Sequence, residues 1–267
     1  MSVFDKVMTP ADGAAWITGA SGGIGRATAL ELARRGWTVF ATARSADALD
    51  ALAAEAVPLS GAIIALPGDV TDAAAMAAAL GKIEAEGPLA LAILNAGVYT
   101  PMRATNFSAE TAAKMLRVNL EGVTNALEPL LAAMIARGHG HVAITASVAG
   151  YRGLPDAAVY SATKAGLIAL CEALAMDLVD LGVRISVINP GFVETEATSV
   201  NTFTMPFLMT PAKAAERIVA GLAKPGFEIA FPRRFALILR GLGLLPNRAY
   251  IWAVRRMLGW GKAGQQG

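Results

Sequence analysis

The chain is poor in cysteine, histidine and charged residues. Its 267 residues include one cysteine, Cys171, and two histidines, and only 16% are charged. A single cysteine excludes an intramolecular disulfide and favours a reducing compartment. No apolar run reaches the roughly 18 residues that a membrane-spanning helix needs. The first residues also lack the basic start and apolar core of a signal peptide. We therefore expect a cytoplasmic protein, and no motif predicts a metal site.

Acidic residues are absent after Glu228. Residues 1–228 carry 16 basic and 21 acidic side chains, so most of the chain has no basic excess, which argues against nucleic-acid binding. The remaining residues carry seven basic side chains and no acidic one. These are Arg233, Arg234, Arg240, Arg248, Arg255, Arg256 and Lys262.

Short apolar runs alternate with longer helical patterns, which is typical of βαβ units. We predict an α/β fold: a single-domain Rossmann-type, doubly wound parallel sheet of about seven strands with helices on both faces. The predicted strands are Ala14–Thr18, Thr38–Ala43, Ala62–Leu66, Leu89–Leu94, His141–Thr145, Arg184–Ile188 and Glu228–Phe231. The predicted helices span residues 23–35, 45–56, 72–86, 108–137, 157–180 and 210–223. Asp72 (with Thr71), Ser108 and Thr210 are the expected N-caps of three of these helices.

A glycine-rich turn joins the first predicted strand to the first predicted helix. It reads Thr18-Gly19-Ala20-Ser21-Gly22-Gly23-Ile24-Gly25. Glycines allow a sharp turn and a close approach of backbone to a pyrophosphate, and the helix N-terminus favours the phosphates. The key glycines are Gly19, Gly23 and Gly25, a spacing that differs from the strict G-x-G-x-x-G. The strand–turn–helix context nevertheless indicates dinucleotide binding.

The same turn matches the G-x-S-x-G nucleophile elbow of hydrolases, with Ser21 as the nucleophile. A hydrolase would need a histidine at the carboxyl end of a later strand. The two histidines, His139 and His141, flank Gly140 at the start of a strand, on the opposite edge of the sheet. The positions of the two histidines therefore argue against the hydrolase hypothesis.

The end of the second predicted strand bears on cofactor choice. An NAD-selective site places an acid there, about 20 residues past the glycines, where it binds the ribose 2′-hydroxyl. This chain has Arg44 near that position and no acid. A guanidinium suits a 2′-phosphate, so NADP(H) is favoured.

Tyr160 and Lys164 are four residues apart, so a helix places them on one face. Carbonyl reduction needs a proton donor at oxygen, and a tyrosine with a pKa of about 10 needs a nearby cation to serve at neutral pH. Lys164 can supply that cation. Ser147 follows the fifth predicted strand, at the edge where doubly wound sheets bind ligands.

Together these residues resemble the classical short-chain dehydrogenase/reductase family, over roughly residues 10–230. The further motifs that carry the resemblance are Asp69-Val70, Asn95-Ala96-Gly97, Asn119, and Asn189-Pro190-Gly191 followed by Thr195.

The resemblance implies a role for each of these residues. Tyr160 would be the general acid and base, Lys164 would lower its pKa and bind the nicotinamide ribose, and Ser147 would hold the substrate oxygen. Asn119 would anchor a water in the proton relay, although it could instead bond backbone in its helix. The implied cofactor contacts are Gly19, Ser21, Gly23, Ile24, Gly25, Arg44, Asp69, Val70, Asn95, Ala96, Gly97, Tyr160, Lys164, Pro190, Gly191, Val193 and Thr195. Ser21 stands where NADP-preferring members often have a basic residue, so selectivity depends mainly on Arg44, and the part of Arg26 stays open.

An apolar segment follows Gly191 and is expected to cover a hydrophobic substrate. Its members are Phe192, Val200, Phe203, Met205, Pro206, Phe207, Leu208 and Met209. We assign residues 1–231 to the dinucleotide-binding and catalytic domain, and residues 232–267 to a basic amphipathic extension.

On a helix, the extension has two faces. Arg248, Arg255 and Arg256 fall on one side with Trp252, and an apolar side consists of Tyr250, Ile251, Val254, Met257 and Leu258. The extension could be a lid on the substrate site, a subunit contact, or a peripheral contact with the inner membrane surface.

The expected function is an NADP(H)-dependent oxidoreductase that moves a hydride between nicotinamide and a hydrophobic small-molecule carbonyl or alcohol. Two alternatives are a 3-oxoacyl-carrier reductase, with a docking patch near Arg117 and Arg137, and an NADP(H)-binding regulator without turnover. The resemblance also implies a homodimer or homotetramer through helices 108–137 and 157–180.

Overall fold

Seven short runs rich in Ala, Val, Ile and Leu form the strands of one parallel sheet. A computed structural model of the protein describes residues 5–200 and 205–257. The strands are β1 (Ala14–Thr18), β2 (Thr38–Thr42), β3 (Ala62–Ala65), β4 (Leu89–Leu94), β5 (Gly140–Thr145), β6 (Val183–Pro190) and β7 (Glu228–Phe231). Their order is β3-β2-β1-β4-β5-β6-β7, with every neighbouring pair parallel. The predicted fold class is confirmed.

Helices connect the strands and follow the last one. They are α1 (Gly23–Arg34), α2 (Ala46–Ala56), α3 (Ala73–Glu86), α4 (Ala109–Leu116), α5 (Gly122–Arg137), α6 (Ala158–Leu178), α7 (Glu196–Ser199), α8 (Pro211–Leu222), α9 (Arg233–Gly243) and α10 (Asn247–Met257). The side chains of Asp72, Ser108 and Thr210 accept hydrogen bonds from backbone amides three residues later, so they cap α3, α4 and α8 as expected.

The predicted continuous helix over residues 108–137 is wrong in one respect. A π-helical turn at Arg117–Glu121 separates α4 from α5. The turn contains Asn119, whose side chain makes its hydrogen bonds to Val98 and Thr163 on other segments. Single π-turns inside helices are frequent at functional sites.

Side chains of each strand alternate between the two faces of the sheet, and both faces are covered. On β1, Ala15 and Ile17 belong to a core cluster that also contains residues of α1, α2 and α8. Trp16 points to the other face and joins a cluster with residues of α3, α5 and α6. Burial on both faces explains why the strands are apolar throughout rather than alternating.

Helix α6 corrects the expectation about long apolar segments. It has 21 residues and a mean hydropathy of 1.3 over an 18-residue window, so it is long and apolar enough to cross a membrane by length and composition. The core helix of a soluble protein passes the same test. Leu167, Cys171 and Leu178 are buried in the cluster on the α3–α5–α6 face of the sheet. The helix therefore packs as a core element of this fold.

The two C-terminal helices pack onto the β7 edge of the sheet. Phe235, Ala236 and Leu239 of α9 form a small core cluster with Val148. On α10, Tyr250 and Val254 are buried, as the two-faced pattern predicts. Ile251, on the same predicted apolar side, is 56% exposed. Leu258 lies outside the described residues.

Candidate active site

A cleft of about 840 Å³ lies at the carboxyl ends of the central strands. Every predicted cofactor residue lines it, and so do Ser147, Tyr160 and Lys164. Most of these residues lie in the segments that follow strands β1 to β6. Pro190 is the last residue of β6, and Tyr160 and Lys164 lie on helix α6. Ends of parallel strands meet at one edge of a sheet, so the topology gathers them into one site.

The glycine turn is packed too tightly for any larger residue. Gly19 has a φ of +71°, and a Cβ on it would lie 2.7 Å from the Cα of Ala96. A Cβ on Gly25 would lie 2.1 Å from the carbonyl oxygen of Gly19. Gly23 has a φ of +54°, and a Cβ on it would lie 3.0 Å from the methyl carbon of Thr195. The turn after β1 is therefore in contact with both the loop after β4 and the loop after β6.

Thr18 fastens the glycine turn to the loop after β4, a role that the sequence reasoning missed. Its hydroxyl accepts hydrogen bonds from the backbone amides of Asn95 at 3.0 Å and Ala96 at 3.1 Å. The Asn95 side-chain amide donates in return to the Thr18 carbonyl at 3.2 Å. Thr18 is 2% exposed, so these bonds form away from solvent. A polar last residue on a buried apolar strand was the available signal.

Arg44 and Asp69 lie at one end of the cleft. Arg44 is exposed, and Asp69 accepts hydrogen bonds from the backbone amide and the hydroxyl of Thr71, both at 2.9 Å. The backbone hydrogen bond from Thr71 is the main cause that lowers the pKa of Asp69, and the charge of Arg44 also contributes. Arg26 forms an ion pair with Glu55, so its side chain is engaged outside the cleft.

Ser147, Tyr160 and Lys164 meet between β5 and α6. Lys164 is 3% exposed, and its ammonium donates a hydrogen bond to the Thr145 carbonyl at 2.8 Å. Burial lowers the pKa of Lys164 to about 8. The Lys164 Nζ atom lies 5.7 Å from the centroid of the Tyr160 ring. The lysine ammonium therefore lies close to the tyrosine ring, on the same face of α6, as the i, i+4 spacing predicts.

The Tyr160 hydroxyl is in an apolar setting. Burial raises the pKa of Tyr160 above its usual value, and a hydrogen bond with the Ser147 side chain acts in the opposite direction. The Ser147 hydroxyl also accepts from the Ala149 amide at 3.1 Å. Tyr99 meets the Tyr160 ring edge-on at 5.0 Å between centroids, and burial raises the pKa of Tyr99 to about 12. The sequence reasoning did not single out Tyr99.

Asn119 lies behind the cleft rather than in its wall. It is fully buried. Its side-chain oxygen accepts from the Val98 amide at 2.7 Å, and its side-chain nitrogen donates to the Val98 carbonyl at 2.9 Å. The same nitrogen is 3.2 Å from the Thr163 hydroxyl. Asn119 therefore fixes the loop after β4 against α6 at Thr163, the residue before Lys164. These side-chain hydrogen bonds go to other segments and not to the backbone of its own helix.

The end of the cleft beyond Tyr160 is apolar. Phe192 and Phe235 pack with ring centroids 5.7 Å apart. This end is lined by Val148, Leu154, Phe192, Phe235, Leu239 and Met257. Helices α9 and α10 thus supply part of the wall. Tyr250, on α10, donates to the Gly153 carbonyl at 2.8 Å, which ties the helix to the loop after β5.

The apolar segment after Gly191 contributes less than expected. Among its described residues, Phe192 lines the cleft. Val200, Phe207 and Leu208 are each about half exposed, at 51%, 48% and 45%. The Met209 carbonyl accepts from the Glu194 amide at 2.9 Å, which holds the segment beside the strand end. Phe203 lies outside the described residues.

His141 is not placed to assist a nucleophile in the cleft. It is fully buried on β5, and its Nε2 atom lies 2.9 Å from the Ser186 hydroxyl. It stands next to the first residue of β5, at the end of the strand away from the cleft. This placement agrees with the rejection of a hydrolase built on Ser21.

Comparison with known proteins agrees with the site. A family model described as short chain dehydrogenase matches residues 13–204. An uncharacterized oxidoreductase of Myxococcus xanthus is 39% identical over 244 residues, which cover 91% of this chain and 96% of that protein. The 3-oxoacyl-[acyl-carrier-protein] reductase of Escherichia coli is 35% identical over 185 residues, which cover 69% of this chain and 75% of the reductase.

Two solved structures share the fold. A short chain dehydrogenase/reductase from Burkholderia phymatum in complex with NAD has a TM-score of 0.77 at 25% identity, and covers 87% of this chain and 94% of its own. An alcohol dehydrogenase from Thermococcus sibiricus complexed with 5-hydroxy-NADP has a TM-score of 0.74 at 29% identity, and covers 82% of this chain and 95% of its own. Because the family model spans most of the chain and the Myxococcus xanthus relative is 39% identical over 91% of it, this protein belongs to the short-chain dehydrogenase family and is an oxidoreductase.

Proposed function

We propose that the protein is an NADP(H)-dependent reductase of hydrophobic carbonyl compounds, or a dehydrogenase of the matching alcohols. One observation carries the proposal: a single cleft holds the glycine turn at one end, an apolar wall at the other, and Tyr160, Ser147 and Lys164 between them. When bound, NADP(H) supplies or accepts the hydride. The glycine turn and Thr195 would hold it, because Gly23 faces the Thr195 methyl group and the backbone at Gly19 and Gly25 leaves no room for a side chain.

The protein side of the reaction is a proton transfer at the substrate oxygen. Tyr160 would donate this proton in reduction and remove it in oxidation, with Ser147 holding the same oxygen. Burial raises the pKa of Tyr160, so a charge close to its ring is needed before a phenolate forms at neutral pH. Lys164 is a cation in reach, 5.7 Å from the centre of the ring, and its bond to the Thr145 carbonyl holds it there. Asn119 would act as a positioning residue, through the loop at Val98.

The preference for NADP(H) over NAD(H) is part of the proposal. Arg44 lies exposed at the end of β2, beside the cleft, where a guanidinium would pair with a 2′-phosphate. Related structures hold both NAD and an NADP derivative, so the choice depends on side chains of this chain. Arg26 is paired with Glu55, which leaves Arg44 as the basic residue that supports the choice.

Apolar lining supports a hydrophobic substrate of modest size. Phe192, Phe235 and Leu239 present no charge to the space beyond Tyr160, and such walls exclude water around the reacting atoms.

A 3-oxoacyl-carrier reductase is the second candidate, favoured by the Escherichia coli relative and by Lys114 and Arg117, which line the mouth of the cleft. Arg137 does not support it, because its guanidinium is engaged by Glu84 and the Leu89 carbonyl. The Tyr160–Lys164 pair, with Lys164 buried beside the tyrosine ring, argues against a regulator without turnover.

A substrate screen tests the proposal. We expect NADPH absorbance to fall with apolar ketones or aldehydes and to rise from NADP with the matching alcohols. Carrier-linked 3-oxoacyl chains should be poor substrates next to free apolar carbonyls of the same length. Turnover confined to the carrier-linked form would select the second candidate, and no turnover with any carbonyl would leave the regulator.

We also propose that the protein works in the cytoplasm as a homodimer or homotetramer. Helices α5 and α6 expose apolar side chains on their outer sides, among them Ile135 at 37% and Met176 at 73%, which supports an association through these helices. Sedimentation equilibrium of the wild type beside Met176→Asp tests this, since a buried carboxylate should dissociate the assembly.

A further inference from the structure

The two C-terminal helices carry exposed arginines and exposed large apolar side chains. On α9, Leu237 is 65% exposed and Ile238 is 45% exposed. On α10, Ile251 is 56% exposed and Trp252 is 66% exposed. Leu244, in the turn between the helices, is 88% exposed. We call these residues, with the exposed arginines beside them, the outer face of the tail; the arginines are Arg233, Arg234, Arg248, Arg255 and Arg256.

Helical spacing explains why these side chains point away from the protein. Phe235, Ala236 and Leu239 of α9 are buried on one side of the helix. Arg234, Leu237 and Ile238 lie on its other sides and are exposed. Tyr250 and Val254 hold α10 in the same way. One side of each helix therefore packs against the domain, and the residues of the outer face do not take part in this packing.

The charge of this region is of one sign. Residues 229–257 contain six arginines and no acidic residue. Arg240 is held by Glu228 on β7 and stacks 5.0 Å from the Tyr151 ring, so it belongs to the attachment of the tail and not to the outer face. The other five lie among exposed Leu, Ile and Trp side chains. A surface that is both basic and apolar matches the boundary between anionic headgroups and acyl chains.

We propose that the outer face of the tail docks on an anionic lipid surface. Arginines would pair with the headgroups, while Leu237, Ile251 and Trp252 enter the boundary region, where tryptophan is favoured. A second copy of this chain is a poorer occupant, because a symmetric contact would set one basic face against the other. A purely polar polyanion would leave the exposed Leu and Ile side chains without apolar partners.

Docking in this orientation would place the cleft near the lipid. Phe235 and Leu239 of α9 and Met257 of α10 line the apolar end of the cleft from the inner side of the same two helices. A carbonyl compound dissolved in the bilayer would then reach the cleft beside the tail. This consequence depends on the proposed function, whereas the docking itself does not.

Co-sedimentation of the full-length protein with vesicles tests the docking. Vesicles of phosphatidylcholine and phosphatidylglycerol in equal parts are compared with pure phosphatidylcholine, each at low and at high salt. We expect binding to the anionic vesicles that weakens at high salt, because screening acts over about 10 Å at 0.1 M. The charge-reversal variant Arg234→Glu/Arg255→Glu should lower the vesicle association constant by at least about tenfold, since each basic residue near the surface contributes measurably.

Matched controls separate the outer face from net charge and from apolar exposure in general. Lys213→Glu/Arg217→Glu on α8 changes the net charge equally and should keep most of the binding. Leu237→Gln/Trp252→Gln should weaken binding, whereas Val57→Gln, at the residue 81% exposed that follows α2, should not. Circular dichroism and soluble turnover report whether each variant is folded.

Three outcomes would overturn the proposal: no vesicle binding by the wild type, equal binding to neutral vesicles, or equal loss in the α8 variant. Self-association of the wild type that the Arg234→Glu/Arg255→Glu variant alters, without vesicle binding, would identify a second copy as the occupant. Failure of the substrate screen with intact vesicle binding would remove the proposed function and leave the docking in place.

Discussion

The ammonium group of Lys164 and the carbonyl oxygen of Thr145 are joined by a hydrogen bond of 2.8 Å. This bond links α6 to the last residue of β5, and it holds the lysine 5.7 Å from the centre of the Tyr160 ring. The bond therefore fixes the position of the lysine ammonium beside the Tyr160 ring.

Tyr160→Phe should reduce turnover by about 10² to 10⁴, the usual contribution of general acid–base help. The ring and its packing against Tyr99 remain, so the dissociation constant for NADPH should change little. Steady-state rates and cofactor titration measure the two effects. Tyr250→Phe, which removes a hydroxyl bonded to the Gly153 carbonyl, is the control and should retain turnover. A Tyr160→Phe enzyme that is as fast as the wild type would exclude the proposed chemistry.

Arg44→Asp should reverse the cofactor preference. The substitution removes a guanidinium and places a carboxylate where the 2′-phosphate would lie. Because a hydrogen bond to a charged group contributes about 1.5–3 kcal/mol, the ratio of the Kd values for NADPH and NADH should change by at least about tenfold. Titration of both cofactors measures it. Arg26→Gln, which breaks only the ion pair with Glu55, should leave the ratio as it is; a shift there equal to that of Arg44→Asp would contradict the assignment.

Arg152 should control how well the tail closes the apolar end of the cleft. Its guanidinium donates to the carbonyls of Gly243 at 2.9 Å and Leu245 at 2.8 Å, and lies 4.2 Å from the centroid of the Tyr250 ring. Arg152→Met removes these contacts and should loosen α10.

We expect KM for an apolar substrate to rise severalfold in Arg152→Met with little change in kcat, the pattern of lost ground-state binding. Arg35→Met, at a surface arginine paired with Glu31, is the matched control. If proteolysis shows that Arg152→Met has loosened the tail and KM is nevertheless unchanged, the tail does not shape the substrate site.

His141 should make the protein less stable in mild acid. Burial, with a smaller contribution from the charge of Arg184, lowers the pKa of His141 well below its usual value. Below about pH 6.5 the unfolded chain therefore binds a proton that the folded protein does not. The free energy of unfolding should fall as the pH falls through this range, by up to about 1.4 kcal/mol per pH unit.

Urea unfolding at several pH values between about 5 and 7 measures this slope. This pH range lies above the one in which most carboxylates titrate. His141→Gln should flatten it, although the loss of the contact with Ser186 lowers stability overall. His139→Gln leaves the buried imidazole in place and should keep the wild-type dependence. A slope that survives in His141→Gln would assign it to other groups.

Local signals in the sequence determined the fold and most of the site. Apolar runs and helical patterns gave the seven strands in their correct places, because a parallel sheet buried on both faces needs uninterrupted apolar strands. Gly19, Gly23 and Gly25 stood out because glycines closely spaced between a strand and a helix are typical of dinucleotide-binding turns. Tyr160 and Lys164 could be paired from spacing alone, since a helix fixes the distance between residues four apart. Each inference depends on contacts within a short stretch of chain.

Only the tertiary structure decided how distant segments use their side chains. The π-turn contains Asn119, whose side-chain amide bonds to Val98, 21 residues away. Arg26 and Arg137 look free in the sequence, yet Glu55 and Glu84 engage them. Ile251 belongs to the apolar side of α10 by pattern, but the buried side is set by where Tyr250 meets Gly153. Pairings across the fold follow from the path of the chain, and periodicity within one helix carries no information about them.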